Sequence, residues 1–136
     1  MNNSKISHIQ FNVRAANLPF YKDLLAFAGL QTLYDGEDML GVGDANETSL
    51  WFGTSVKDVL NDYDGPGMNH LALEVPAQSD VDAAVAWLTE RNVPALFGTP
   101  RHNPEFSSAE RTYYQVMFES PDRILFEIVY MGPKAD

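Results

Sequence analysis

The sequence predicts an α+β fold built from two βαβββ modules, and two observations support this prediction. The first is a repeat: the segment HIQFNV at residues 8–13 returns as HLALEV at residues 70–75. Each copy opens an alternating strand with a histidine. The second observation is that one amphipathic helix and then several short strands follow each copy. The 136 residues suffice for one domain, 1–136, made of both modules.

The first module is predicted over about residues 5–53. Alternation gives its first strand an apolar face and a polar face, and the polar face carries His8, Gln10 and Asn12. A helix is predicted over 18–28, because Asn17 can cap it. Short strands are predicted at 31–34, 39–42 and 49–52, between turn residues.

A connector, 54–68, ends in Gly-Pro-Gly, and the second module is predicted over about 69–131. Its first strand turns His70, Ala72 and Glu74 away from the apolar face. A helix is predicted to begin at Ser79 or Asp80 and to end near Asn92. Strands are predicted at 95–97, 113–118 and 124–130, with a long polar loop over 98–112.

Each helix must bury its apolar stripe against the apolar face of the strands, since neither element can do so alone. The polar strand face then lies away from the helices. We therefore expect a curved mixed sheet that forms a cup, with helices on its outer face and a site inside.

The composition excludes several classes of function. With 9 Lys and Arg against 19 Asp and Glu, the net charge is −10, which argues against nucleic-acid binding. No apolar run is long enough for a membrane span, and the first residues lack a signal peptide, so we expect a cytoplasmic protein. The chain has no cysteine, and any metal must therefore be bound by nitrogen and oxygen.

The candidate metal ligands on the polar face are His8, His70 and Glu127. Glu127 is the one carboxylate in the apolar strand LFEIVY, where a charge is costly unless it is paired or coordinated. Two imidazoles and a carboxylate suit one divalent transition metal ion: Zn, Mn, Ni, Co or Fe(II). The alternative for Glu127 is an ion pair with Arg14 or Arg123.

Several segments, in this order, resemble the vicinal oxygen chelate superfamily, which includes glyoxalase I, extradiol dioxygenases, fosfomycin-resistance enzymes and bleomycin-binding proteins. The segments are HIQFNV, NLPFYKDLLAFAGLQTLY, GPGMNHLALEV and VMFESPDRILFEIV. The resemblance spans essentially the whole chain. It implies paired βαβββ modules around a metal, with the ligands His8, His70 and Glu127, and it implies a homodimer.

The sequence departs from this resemblance at two positions. Glyoxalase I enzymes have a second carboxylate ligand in the first module. The matching stretch of this chain is expected to have Ser49 at that position. Dioxygenases and fosfomycin enzymes often carry a tyrosine where this chain has Met117. Typical glyoxalase I chemistry, which needs that carboxylate as a base, is therefore not expected. The catalytic residue stays unassigned, with Tyr113 and His102 as candidates; a loop histidine such as His102 is more often only exposed.

The predicted pocket residues are the polar or aromatic side chains that share the polar face: Gln10, Asn12, Trp51, Tyr113, Gln115 and Met117. Trp51 and Met117 fit the protein core equally well. Our first hypothesis is a metal-dependent enzyme, similar to a lyase, isomerase or dioxygenase, acting on a small oxygenated metabolite. The alternative is a binding protein of the bleomycin-resistance type that performs no chemistry.

Overall fold

Two four-stranded sheets with the same strand order make up the fold. In the computed structural model, which describes residues 1–134, the chain divides into two units at Leu60 and Asn61. The first unit contains β1 (His8–Asn12), α1 (Leu18–Phe27), β2 (Gln31–Asp35), β3 (Met39–Gly43) and β4 (Ser49–Gly53). The second contains β5 (Leu71–Glu74), α2 (Gln78–Glu90), β6 (Leu96–His102), β7 (Arg111–Glu119) and β8 (Leu125–Pro133). Short 3-10 helices lie at Ala15–Asn17 and Pro104–Phe106.

The topology confirms the predicted βαβββ plan in each unit. The sheets run β1-β4-β3-β2 and β5-β8-β7-β6. β1 pairs with β4, and β5 with β8, in parallel, whereas the other pairs are antiparallel. The parallel pair follows from the helix, which returns the chain to the same end of the sheet.

The apolar strand face meets the helix in the first unit, as the alternation predicts. Phe11 of β1 lies opposite Phe52 of β4, and their rings stack at 5.1 Å between centroids. Tyr21 of α1 stacks on Phe52 at 4.9 Å, and all three side chains are buried. The polar residues of β1 therefore point to the opposite face of the sheet.

The second unit builds its core in the same way. Phe118 of β7 stacks on Phe126 of β8 at 5.7 Å. Buried residues of α2 complete this core: Val81, Ala84, Trp87 and Leu88. Glu127 lies between Phe126 and Ile128, so strand alternation directs it to the face away from these aromatic rings. Neither α1 nor α2, which has 13 residues, is long and apolar enough to cross a membrane.

The prediction of a loop over the whole of 98–112 was wrong, because only residues 103–110 connect the two strands. β6 continues to His102, and its Arg101 and His102 pair with Gln115 and Tyr114 of β7. The strand pairing contains a bulge at Phe97 and Gly98, both of which have positive φ. This bulge accommodates the residues that predict a loop in the sequence. The strand resumes after this bulge, and β7 begins already at Arg111.

The turn between β7 and β8 anchors the connector. The Arg123 guanidinium lies 2.7 Å from Asp64 and 3.5 Å from Asp62, and 4.1 Å above the ring of Tyr63. Arg123 adopts φ 61°, the left-handed conformation usually taken by glycine. The side chain at this position thus gains a tether to residues 62–64 that glycine would lack.

We expect the stability of the second unit to fall at high pH through Tyr114. Its hydroxyl donates to Asp82 of α2 at 2.7 Å, and burial together with this bond raises the pKa of Tyr114 to about 12. Because the pKa of an unfolded tyrosine is about 10, the stabilisation is complete below about pH 10 and is lost as the pH rises through about 12. Chemical denaturation at pH 8 and 11.5 should therefore show a smaller loss of stability in Tyr114→Phe than in wild type. An equal loss in both proteins would contradict this assignment.

Candidate functional site

The centre of the candidate site is Glu127, in the middle of β8. Its neighbours across the strands are Ala72 of β5 and Met117 of β7. The side chain is only 3% exposed. A buried carboxylate needs partners that compensate for its lost hydration, and the strand pairings determine which side chains can reach it.

Each oxygen of Glu127 has one partner. The Tyr113 hydroxyl donates to Oε1, and Nε2 of His70 lies 3.0 Å from Oε2. Burial, and next the bond to Glu127, raise the pKa of Tyr113 well above its usual range. The phenol therefore remains protonated at neutral pH and acts as a donor. The alternative partner in this unit, Arg123, instead pairs with acidic residues of the connector and with Glu119.

The second nitrogen of His70 is held by its neighbour in sequence. Nδ1 lies 2.7 Å from Oδ1 of Asn69, an atom that can only accept. The Asn69 amide nitrogen lies 3.5 Å from the Tyr63 carbonyl oxygen, which orients the amide group. Nδ1 therefore carries a proton, and Nε2 faces Glu127. The sequence analysis missed Asn69, although a polar residue directly before a candidate ligand is a usable signal.

His70 and Glu127 thus form a pair of converging nitrogen and oxygen donors. Within the described residues 1–134, neither unit contains three His, Asp or Glu side chains arranged to hold a metal. His8, the third predicted ligand, lies at the start of β1 in the first unit, exposed, with Nδ1 3.1 Å from Ser7 Oγ. The second unit alone therefore provides two donors.

The polar face of the first unit carries a cavity of about 510 Å³. The predicted pocket residues Gln10 and Asn12 both line it, together with Asp38, which directly precedes β3. Met39, Gly53, Thr54 and Ser55 complete the lining. The amides and the carboxylate give this cavity hydrogen-bond donors and acceptors for a polar molecule.

Trp51 belongs to the same polar face, since it lies opposite Gln10 of β1 and Gly41 of β3. The indole is partly buried, and its Nε1 donates to Ser49 Oγ at 2.9 Å. Trp51 therefore does not belong to the helix-facing core of Phe52. Met117 is different: it is buried and packs with Tyr63 and Leu125, although it shares the face of Glu127.

The strand register corrects the position assigned to Ser49. In the second unit, the residue two places after His70 lies opposite Glu127. In the first unit, the residue two places after His8 is Gln10, and it lies opposite Trp51. Trp51, rather than Ser49, thus occupies the position equivalent to Glu127. Strands β4 and β8 have dissimilar residues, so the sequence alone does not align them closely enough to distinguish Ser49 from Trp51.

The two candidate catalytic residues lie on opposite faces of their sheet. Tyr113 contacts Glu127, and Gln115 is buried on the same face. His102 pairs with Tyr114, and its Nδ1 lies 2.5 Å from Thr112 Oγ1. The His102 ring also lies 4.5 Å from that of Tyr114, whose hydroxyl bonds to α2. The structure does not bring His102 to Glu127.

No protein-family model matches the chain, and no curated protein matches it. Solved structures do match over nearly the full length. A glyoxalase candidate from Bacillus halodurans is 24% identical, with a TM-score of 0.77, over 92% of this chain and 94% of its own. A glyoxalase/dioxygenase from Nostoc punctiforme is 20% identical, with a TM-score of 0.69, over 98% and 94%.

A third similar structure is the fosfomycin resistance protein FosX from Listeria monocytogenes, in complex with Mn(II) and sulfate. It is 20% identical, with a TM-score of 0.66, over 94% of this chain and 90% of its own. At such identities the comparisons show the fold. The chain has the α+β fold of these glyoxalase-like structures, as the sequence predicts.

We expect Tyr113→Phe to lower the free energy of unfolding by about 1–3 kcal/mol, because it removes the donor to a buried oxygen of Glu127. The matched control is Tyr114→Phe, at the next residue but on the other face. Its acceptor, Asp82, is exposed and can bond to water, so a smaller loss is expected. Urea denaturation at pH 7 measures both; equal losses would mean that Glu127 does not depend on Tyr113.

Proposed function

We propose that this protein is a metal-dependent enzyme of the vicinal oxygen chelate type, acting on a small oxygenated molecule. His70 and Glu127 are two of the metal ligands in this proposal, and His8 is the third. The observation that carries it is the 3.0 Å approach of His70 Nε2 to the buried Glu127 Oε2. The Mn(II) in the fosfomycin resistance protein of the same fold supports a divalent metal.

The donor set fits such an ion. A carboxylate oxygen and an imidazole nitrogen converge to 3.0 Å, and both are donors that divalent transition metals prefer. The hydrogen bond from His70 Nδ1 to Asn69 fixes the ring orientation that metal ligation by Nε2 requires. The carboxylate is already excluded from water, which strengthens its attraction for a cation.

When bound, the metal supplies Lewis-acid stabilisation of negative charge that develops on a substrate oxygen. Tyr113 positions Glu127 by holding Oε1, which leaves Oε2 directed to His70. Since its phenol is protonated at neutral pH, Tyr113 donates and does not serve as the base. Trp51 stands where a second carboxylate would be, so we favour lyase or dioxygenase-like chemistry over proton transfer of the glyoxalase I kind.

The first test is metal content, with the three histidines of the chain as a matched set. We expect about one equivalent of metal per chain in wild type after dialysis against Mn, Zn, Ni, Co or anaerobic Fe(II). His8→Ala, His70→Ala and Glu127→Gln should each lower metal affinity by at least about tenfold, because each removes a donor. His102→Ala, on the opposite face, should bind as wild type does. Undiminished binding by His70→Ala would contradict the proposed ligands.

We further propose that the protein acts in the cytoplasm as a homodimer in which His8 of one subunit meets His70 and Glu127 of the other. Mixing tests this arrangement. When His8→Ala and His70→Ala chains are refolded together, mixed dimers regain one complete site in two, which restores about a quarter of the wild-type metal content. A site built within one chain would give no recovery, because every chain then lacks one ligand.

A second candidate function is supported by Trp51 at the position equivalent to Glu127. An aromatic ring there suits a protein that binds a small molecule without chemistry, as in bleomycin resistance. This candidate would be favoured if wild-type protein bound a small molecule but took up no metal from any of the dialyses described above.

A further inference from the structure

We propose that Arg101 and Gln115 form a subsite for a carboxylate group of the substrate, on the sheet face that carries Glu127. The proposal names a substrate class for the site described above, and in that respect it rests on the proposed function. The substrate would carry this second acidic group a few bonds away from the oxygens that reach the metal. Every residue that supports the inference belongs to the second unit.

The bulge in β6 decides which residue near the end of this strand faces the site. Leu96 lies opposite Met117 of β7. Five residues further along β6, Arg101 lies opposite Gln115, which is only two residues from Met117. The bulge thus adds three residues to β6, and an odd number of added residues exchanges the two faces of the strand. Without the bulge, His102 would share the face of Leu96; with it, Arg101 does.

One buried side chain holds β6 in this register. The Thr99 hydroxyl donates to the Leu96 carbonyl oxygen at 2.6 Å and accepts from the Met117 amide at 3.0 Å. These two bonds replace strand bonds that the bulge interrupts, so the backbone groups at the bulge keep partners. Arg101 is therefore held on the face of Glu127 by a defined local structure.

Among residues 1–134, the Arg101 guanidinium has no hydrogen bond, ion pair or ring contact, and the residue is exposed. Other arginines of this unit are paired: Arg123 with connector carboxylates, and Arg91 with Glu90. Glu127 lies on the same face, but its two oxygens already have partners. In a chain with 19 acidic residues, Arg101 thus presents a positive charge that an anionic ligand can neutralise.

The side chain of Gln115 is a second group without a protein partner. It is only 7% exposed, and its amide makes no hydrogen bond within the described part of the chain. The amide is not sealed from solvent, so a ligand can reach it. A buried amide normally has a partner, and this one indicates a group that the protein does not itself provide. Because directly opposite residues have Cβ atoms about 5 Å apart, one carboxylate can bind both Gln115 and Arg101.

The subsite lies within reach of a ligand that is held at Glu127. Gln115 is on the neighbouring strand, two residues along from Met117, which lies opposite Glu127. Such diagonal neighbours are about 7–8 Å apart. A guanidinium and an amide are planar donors that match the two coplanar oxygens of a carboxylate. A molecule bound to the metal at one end can therefore place a carboxylate in the subsite across a short carbon chain.

The experiment compares 2-hydroxyglutarate with its 5-carboxamide, 2-hydroxyglutaramate. The two probes share the hydroxyl and the carboxylate that can chelate a metal, and they differ only in the distant acid group. We expect Mn-loaded wild type to bind 2-hydroxyglutarate about 10-fold more tightly in calorimetric titrations, because a charge-assisted pair replaces a neutral hydrogen bond. The net charge of −10 repels the dianion more strongly, so the average field of the protein favours the opposite order.

Arg101→Gln should lower this preference below about 2-fold. Arg101→Lys should retain about 3-fold, because lysine supplies the charge without the planar fork. His102→Gln is the matched control, since the adjacent residue lies on the opposite face, and Arg111→Gln changes an arginine at the start of β7. Both controls should keep the wild-type preference. A preference that is kept in Arg101→Gln, or lost in either control, overturns the subsite.

Gln115→Met separates a binding role from a structural role. Methionine has nearly the same length but no amide, so the preference should fall to about 3-fold. Because the amide has no protein partner to lose, this variant should unfold at the same or a higher urea concentration than wild type. A lower urea midpoint, or a wild-type preference in the folded variant, overturns the subsite.

Titrations of metal-free protein separate the subsite from the proposed function. In protein labelled with nitrogen-15, 2-hydroxyglutarate should shift the side-chain amide resonance that Gln115→Met removes, and 2-hydroxyglutaramate should shift it less. Metal-dependent binding with equal affinity for the two probes overturns the subsite and leaves the proposed function standing. A preference that depends on Arg101 in a protein that takes up no metal supports the subsite and contradicts the proposed function.

Discussion

The burial of Glu127 is the constraint on which the site depends. A buried carboxylate in a strand of otherwise apolar residues is costly, and its two oxygens are compensated by two different groups. Tyr113 satisfies one oxygen, and His70 approaches the other. Asn69 in turn orients His70, and the connector carbonyl at Tyr63 lies within reach of the Asn69 amide. One buried charge thus accounts for the arrangement of three neighbouring side chains.

The two units show how one topology supports two kinds of surface. Both sheets place a histidine before or at the start of the first strand, and both bury an aromatic pair against the helix. One equivalent pair of positions shows how their polar faces differ, because Glu127 and Met117 correspond to Trp51 and Gly41. Strand pairing specifies where a side chain sits, and the residue there determines which contacts the position makes.

Much of this could be predicted from the sequence, because strand alternation and the repeated HIQFNV and HLALEV segments report which residues share a face. The faces of Gln10, Asn12 and Glu127 follow from a period of two alone. Register across strands does not, since it depends on pairing between residues far apart in sequence. That is why the sequence points to Ser49 at the position that Trp51 occupies. The segment 98–112 resembles a loop for a different, local reason. The bulge at Phe97 and Gly98 lets a strand continue through residues that typically end one.

The second unit alone brings two protein donors together, and this has a consequence for the proposed metal. Two donors leave half of the positions of a tetrahedral ion, and more of an octahedral one, to water, and such a half-site binds weakly. In the proposed dimer, the His8 imidazole of one subunit would add the third donor. Because a ligand stabilises the state that binds it, metal would stabilise that assembly in proportion to the logarithm of its concentration above the Kd. Metal affinity and assembly would therefore depend on each other, with His8 as the residue that links them.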